Sequence, residues 1–123
     1  MMQHFTIHDR LPGMNEYTEN QRANKYGGNL MKKTAQKAVE WEIRAAKIKP
    51  IKSPVTIHYC FYEPNKRRDK DNIAGFAHKV IQDALVATGI LKDDAWDYII
   101  GFTDRFAVDR KEPHITVILE YEQ

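Results

Sequence analysis

Residues 66–72 read Lys66-Arg67-Arg68-Asp69-Lys70-Asp71-Asn72. Asp69 and Asp71 are two positions apart. In extended backbone two such side chains point the same way, about 7 Å apart along the chain. Carboxylates held like that repel each other unless a cation lies between them. Mg²⁺ takes oxygen ligands and keeps several waters, so two or three carboxylates suffice to hold it. A further pair, Asp93-Asp94, follows later in the chain. Lys66, Arg67, Arg68 and Lys70 are of the residue types that contact phosphate. The chemistry these residues could do together is metal-ion chemistry beside a phosphate backbone. The same pattern also suits a solvated turn in which Asp69 and Asp71 cap a helix, and on pattern alone that plainer reading is slightly favoured.

Other candidates carry less. Lys79 stands seven residues after Asn72, within about 20° of its stripe on a helix and off the apolar face. An exposed i, i+4 pair with Asp83 accounts for it without any site. The five histidines have no metal-ligand spacing, and no Gly-rich phosphate loop is present. Cys60 is the single cysteine, which excludes an internal disulfide and a cysteine metal cluster.

The elements that must position these residues follow from periodicity. "MQHFTIHDRL" reads as a short strand. A polar stretch follows, with turn signals at Pro12-Gly13 and Gly27-Gly28 and a short helix near Asn15 to Asn24. "LMKKTAQKAVEWEIRAAKIK" keeps helical spacing through Met31, Ala35, Ala38, Val39, Ala45 and Ile48, and Pro50 stops it. Val55, Ile57, Tyr59 and Phe61 alternate as in a strand. Ile73, Phe76, Ala77, Val80, Ile81, Ala84 and Leu85 form an apolar helical stripe that Gly89 ends. "YIIGFTDRFAVDR" and "HITVILEYE" read as strands joined by a hairpin at "RKEP". The order predicts one α+β domain over residues 1–123, with a mixed sheet of about four strands and two main helices.

Composition sets the frame. A chain of 123 residues and 14.4 kDa fits one domain with a real core. No apolar run is long enough to span a bilayer, and the first residues lack the apolar stretch of a signal peptide, so the expectation is a cytoplasmic protein with no membrane partner. The formal net charge of +2 is too small to argue for nucleic acid. Its distribution says more. Residues 1–52 carry ten Lys/Arg against five Asp/Glu, whereas residues 53–123 carry nine against twelve. A basic half beside an acidic half suits a phosphate-binding face next to a carboxylate site, although a random surface gives the same count.

Read together, "RRDKDNIAGFAHKVIQDALVATGILKDD" resembles the signature of the RusA family of Holliday junction resolvases, small endonucleases of bacteria and their prophages. The family pattern is D-x-D-N, a helix with a lysine ahead of a "DAL" triplet, a glycine, then a D-D pair. Here these are Asp69-Lys70-Asp71-Asn72, Lys79, Asp83-Ala84-Leu85, Gly89 and Asp93-Asp94. The early "LPGMNEY" is similar to the family's "P-P-S-x-N" start, with Asn15 in the matching place. The core of the resemblance covers residues 65 to 94. One departure stands out: Lys79 lies four residues further from Asn72 than in the best-known member, which shifts it about 6 Å along the helix axis and leaves Lys70 and Lys92 as substitutes.

The resemblance implies a RusA-like fold and a homodimer that resolves four-way DNA junctions by symmetric paired nicks during recombination and repair. It implies that Asp69, Asp71 and Asp94 hold Mg²⁺, with Lys79 as the cation that stabilises transition-state charge. Lys66, Arg67, Arg68, Lys70 and the basic helix carrying Lys32 and Lys33 are expected to seat the DNA backbone. Two further readings stay open: a non-catalytic branched-DNA-binding protein of a mobile element, and a regulatory module whose acids are structural.

Overall fold

The chain forms seven elements in order: β1 (Met2–Ile7), α1 (Met14–Ala23), α2 (Lys25–Ala45), β2 (Val55–Glu63), α3 (Lys70–Ala87), β3 (Ile99–Val108) and β4 (His114–Tyr121). These come from a computed structural model that describes residues 1–122. The four strands make one mixed sheet in the order β1-β4-β2-β3. β4 is antiparallel to both β1 and β2, and β3 is parallel to β2. The α+β fold class read from periodicity holds, with three helices.

Alternation decides which side of the sheet is buried. Phe5 and Ile7 of β1, Ile115, Val117 and Leu119 of β4, and Val55, Ile57, Tyr59 and Phe61 of β2 face one way and are buried. α3 lies against that face with every residue of its expected stripe buried, together with Ala74. Truncating one of these, such as Ile81→Ala, removes packing worth about 2–5 kcal/mol. Tyr59 sits at the centre of this core and accepts a hydrogen bond from Gln82 Nε2 at 3.3 Å. Burial pushes its hydroxyl well above the ordinary tyrosine range, with the neighbouring Asp104 charge adding to the effect and the Gln82 bond opposing it. The other face carries polar and half-buried groups: His58 bonds Thr103 and Glu120 across three strands.

Three local expectations are corrected. The Gly27-Gly28 pair is not a turn but lies inside α2, which Asn24 starts by accepting from the Tyr26 N–H. Gly28 is buried against α1, and a Cβ there would stand 2.4 Å from Gln21 Cγ and 3.2 Å from Gln21 Cα. The glycine serves close helix approach. α2 also ends before Pro50: Lys47 turns left-handed at φ 55° and Ile48 N–H closes back on the Ile43 carbonyl. Ile43 therefore takes the buried position assigned to Ala45, which is exposed.

The third correction concerns topology. "RKEP" does not join a hairpin, because β3 and β4 lie on opposite sides of β2. β4 supplies three fully buried inward residues and suits the sheet interior, whereas β3 alternates through Gly101, Thr103 and Arg105 and takes the edge. The β2–α3–β3 unit is thus a parallel crossover. His78 on α3 and Asp104 on β3 tie it at 2.7 Å.

Candidate functional site

A cleft of about 890 Å³ opens at the C-terminal end of β2, between the 64–69 connector, the first turn of α3 and the end of β3. Asn65, Lys66, Asp69, Lys70 and Asp71 line it, with Phe106, Ala107 and Val108 forming the opposite wall. Ligand sites of open sheets form outside the carboxyl ends of parallel strands for the reason seen here: the chain must leave the strand and enter a helix, so loop side chains and helix-start N–H groups converge.

Asp69 occupies the N-cap position of α3, and its extended backbone (φ −66°, ψ 153°) is that of a cap. Its side chain makes no capping hydrogen bond. The carboxylate is turned away from the helix N–H groups that such a residue ordinarily satisfies, and it stays exposed beside Asp71 in the first helical turn. Among the described residues neither carboxylate is engaged in an ion pair. Lys70 reaches over the Phe106 ring, with Nζ 5.7 Å from its centroid, which holds this cation at the cleft wall. Asn65 Oδ1 accepts from the Arg67 N–H at 3.0 Å, an Asx turn that leaves the Lys66 and Arg67 side chains exposed.

A buried charge cluster fixes this connector. Glu63, only 5% exposed, accepts from Arg10 Nη2 at 2.8 Å and from Arg68 Nε and Nη2 at 3.0 Å each. Arg68 Nη1 also donates to the Leu11 carbonyl at 3.2 Å. The bidentate fork clamps the start of the connector to its end and to the β1–α1 loop. Arg68 is therefore a strut within the protein, which corrects its expected role as a backbone contact. Two arginines against one glutamate leave a local excess of positive charge behind Asp69 and Asp71. Glu63 was missed by the sequence reading, although a signal existed: it occupies the next inward position of the Val55, Ile57, Tyr59, Phe61 alternation.

A second clamp holds α1 against α3. The Asn72 side chain accepts from the Asn15 N–H at 2.8 Å. A Cβ at Gly13 would stand 2.7 Å from Asn72 Oδ1, so the glycine allows the approach. The Asn15 and Asn72 of the two motif fragments, distant in sequence, meet here.

The other expected site residues are not brought to the cleft. Lys79 lies eight residues past Asp71, about 12 Å along the axis and about 80° around it. It faces Asp83 at 3.9 Å, and Asp83 holds Lys32 of α2 at 2.7 Å. Lys32 is thereby spent on the α2–α3 contact, while Lys33 remains exposed. Asp94 is placed furthest away. α3 runs back along β2, and the bonds Ile51 N–H to Ile90 O and Val55 N–H to Tyr98 O fix residues 90–98 at the opposite end of the sheet. An eighteen-residue helix separates the two ends by about 25 Å at 1.5 Å per residue. Among the described residues no three His, Cys, Asp or Glu side chains form a group able to hold a metal ion.

Compared with protein-family models and with curated proteins, the chain matches none. Among the described residues no helix is long and apolar enough to cross a membrane.

Proposed function

We propose that the protein is a Mg²⁺-dependent, structure-specific endodeoxyribonuclease acting on four-way junctions as a homodimer. The observation that carries this reading is Asp69: a residue at a helix N-cap that does not cap, and whose carboxylate instead shares an open, cation-flanked cleft with Asp71. The resemblance of residues 65–94 to the resolvase signature agrees with it.

The donor set fits a hydrated Mg²⁺ ion. Asp69 and Asp71 offer hard anionic oxygens on a rigid helix start, and Mg²⁺ is commonly held by one or two carboxylates with waters and substrate phosphate completing the shell. Bound there, the ion would supply an acidified water and neutralise charge on a phosphodiester oxygen. The chain's own residues do the remainder. Lys66 and Arg67 seat the phosphate backbone at the cleft mouth. Lys70, held against Phe106, takes the place expected of Lys79 and faces the developing phosphoryl charge. Glu63, Arg10 and Arg68 keep the connector rigid, so the carboxylates are in position before substrate arrives.

The remoteness of Asp94 favours a second reading, a branched-DNA-binding protein without activity. One experiment separates the two. A labelled synthetic four-way junction is incubated with the protein with and without Mg²⁺. Nicks that require Mg²⁺ and vanish in Asp71→Asn support the nuclease; retarded but uncut junction supports the binding protein.

A further inference from the structure

We infer that two copies pair through the free edge of β3, antiparallel about a two-fold axis near Thr103–Asp104, and that each copy supplies Asp94 to the cleft of the other. The second half of this inference rests on the nuclease reading of the cleft; the first half does not.

β3 is the edge of the sheet. Its pairing with β2 sets Val108 opposite Glu63, and Asp109 N–H donates to the Glu63 carbonyl at 2.8 Å. In such a parallel ladder the odd-numbered residues from Gly101 onward turn their backbone groups toward β2. Phe102, Asp104, Phe106 and Val108 then turn their N–H and C=O groups outward, a row of unpaired donors and acceptors that templates another strand. The edge is long, ten residues, and carries no proline. It is also apolar where water meets it: Ile100, Phe102 and Val108 are exposed, and Trp96 just before the strand is 94% exposed. Large aromatic side chains left in solvent beside an open edge mark a surface that is covered in the working protein.

Charge selects a second copy as the occupant. The N-terminal end of β3 is led by Asp93, Asp94 and Asp97, against Lys92 alone. The C-terminal end is flanked by Lys66, Arg67, Lys70, Arg110 and Lys111, all exposed. A strand with an acidic start and a basic finish is complementary to itself when turned antiparallel, because each acidic end meets the partner's basic end. A two-fold axis is the symmetry that makes one patch satisfy both copies.

The same geometry resolves the misplaced carboxylate. The cleft lies at the Val108 end of β3 and Asp94 lies before the Ile99 end. Antiparallel pairing about the strand centre sets the partner's Ile99 beside Val108, one strand spacing of about 4.8 Å away. The partner's Asp94 loop then arrives at Asp69 and Asp71, and no movement within the chain is needed to assemble three carboxylates. Each cleft is incomplete without the other copy.

The test combines association, metal binding and mixing. Thr103→Cys in a Cys60→Ser background, treated with a short bismaleimide, should give a covalent dimer. Phe102→Pro removes only an outward N–H and should give a monomer by light scattering, as should Phe102→Lys, which adds a charge at the edge. Mn²⁺ binding followed by electron paramagnetic resonance should weaken at least tenfold in either monomer and equally in Asp94→Asn. Finally, Asp71→Asn and Asp94→Asn proteins, each inactive alone, are mixed and allowed to exchange subunits. Half the dimers then carry one intact site, and nicking should return to about a quarter of the wild-type rate. Dimers persisting in both Phe102 variants, with no Thr103 cross-link, would overturn the pairing. No recovery on mixing, with wild type active and exchange verified, would overturn the supply of Asp94 in trans. If wild type never nicks, the nuclease reading fails instead, and Mn²⁺ affinities equal in monomer, Asp94→Asn and wild type would end the shared site as well.

Discussion

Replacing Glu63 with glutamine should cost more than any surface charge change in this protein. The side chain stays the same size, but a buried carboxylate holding three charge-assisted hydrogen bonds becomes a neutral amide with one acceptor oxygen. Removing one partner of a buried ion pair typically costs 3–5 kcal/mol. Here the arginines partly reach water, at 33% and 20% side-chain exposure, which lets them recover some solvation. The expected loss is therefore about 2–4 kcal/mol, less than the sum of three separate bonds to charged groups because they share one carboxylate. That is a large part of a stability of about 5–15 kcal/mol. Urea unfolding of Glu63→Gln beside wild type measures it, with Arg10→Met and the double variant closing a cycle. The strut account also requires weaker Mn²⁺ binding in Glu63→Gln under conditions where the protein is fully folded. A loss below about 0.5 kcal/mol, the range of an ordinary surface pair, together with unchanged metal affinity, would refute the argument that this cluster sets the cleft.

Three further outcomes follow from single features. Lys66→Ala with Arg67→Ala should reduce the slope of log K against log salt for junction binding by about 0.9 per lost phosphate contact, whereas Arg68→Ala should chiefly lower the unfolding midpoint; a normal slope in the double variant would move the DNA elsewhere. Lys47→Gly should stabilise the protein by about 0.5–1 kcal/mol, because glycine adopts the left-handed conformation without the Cβ penalty, and a lowered thermal midpoint would contradict it. The raised Tyr59 value means that its contribution to stability is complete below the ordinary tyrosine value of about 10 and is lost as pH climbs above it. Absorbance at alkaline pH should show one of the six tyrosines ionising only as near-ultraviolet dichroism collapses; free titration of all six in the folded protein would disprove the burial argument.

The parts of this fold that were legible in the sequence are those governed by local periodicity. The stripe from Ile73 to Leu85 is wholly buried because a 3.6-residue repeat needs no partner information to define a face. The β2 alternation was equally clear, and continuing it by one step leads to Glu63. Strand order was not legible: the short connector at Asp109–Pro113 is compatible with a hairpin, and only the comparison of buried residues along β3 and β4 decides which takes the edge. That one error changes the site, since β3 beside β2 in parallel sends Asp94 to the far end. Asp69 and Asp71 were found because both sit where a strand ends and a helix begins. Arg68 was misassigned because four cations in five positions look alike in sequence, and only the fold turns one of them inward onto Glu63.

The central claim is that Asp69 and Asp71 form the metal-holding part of a DNA-cutting cleft. It is tested most directly by the rate at which the dimer nicks a synthetic four-way junction in Mg²⁺, wild type against Asp71→Asn, with junction affinity measured on the same samples. The account predicts that nicking falls by orders of magnitude while affinity is kept or improved, since a negative charge near phosphate is removed. Nicking by Asp71→Asn at the wild-type rate would contradict it.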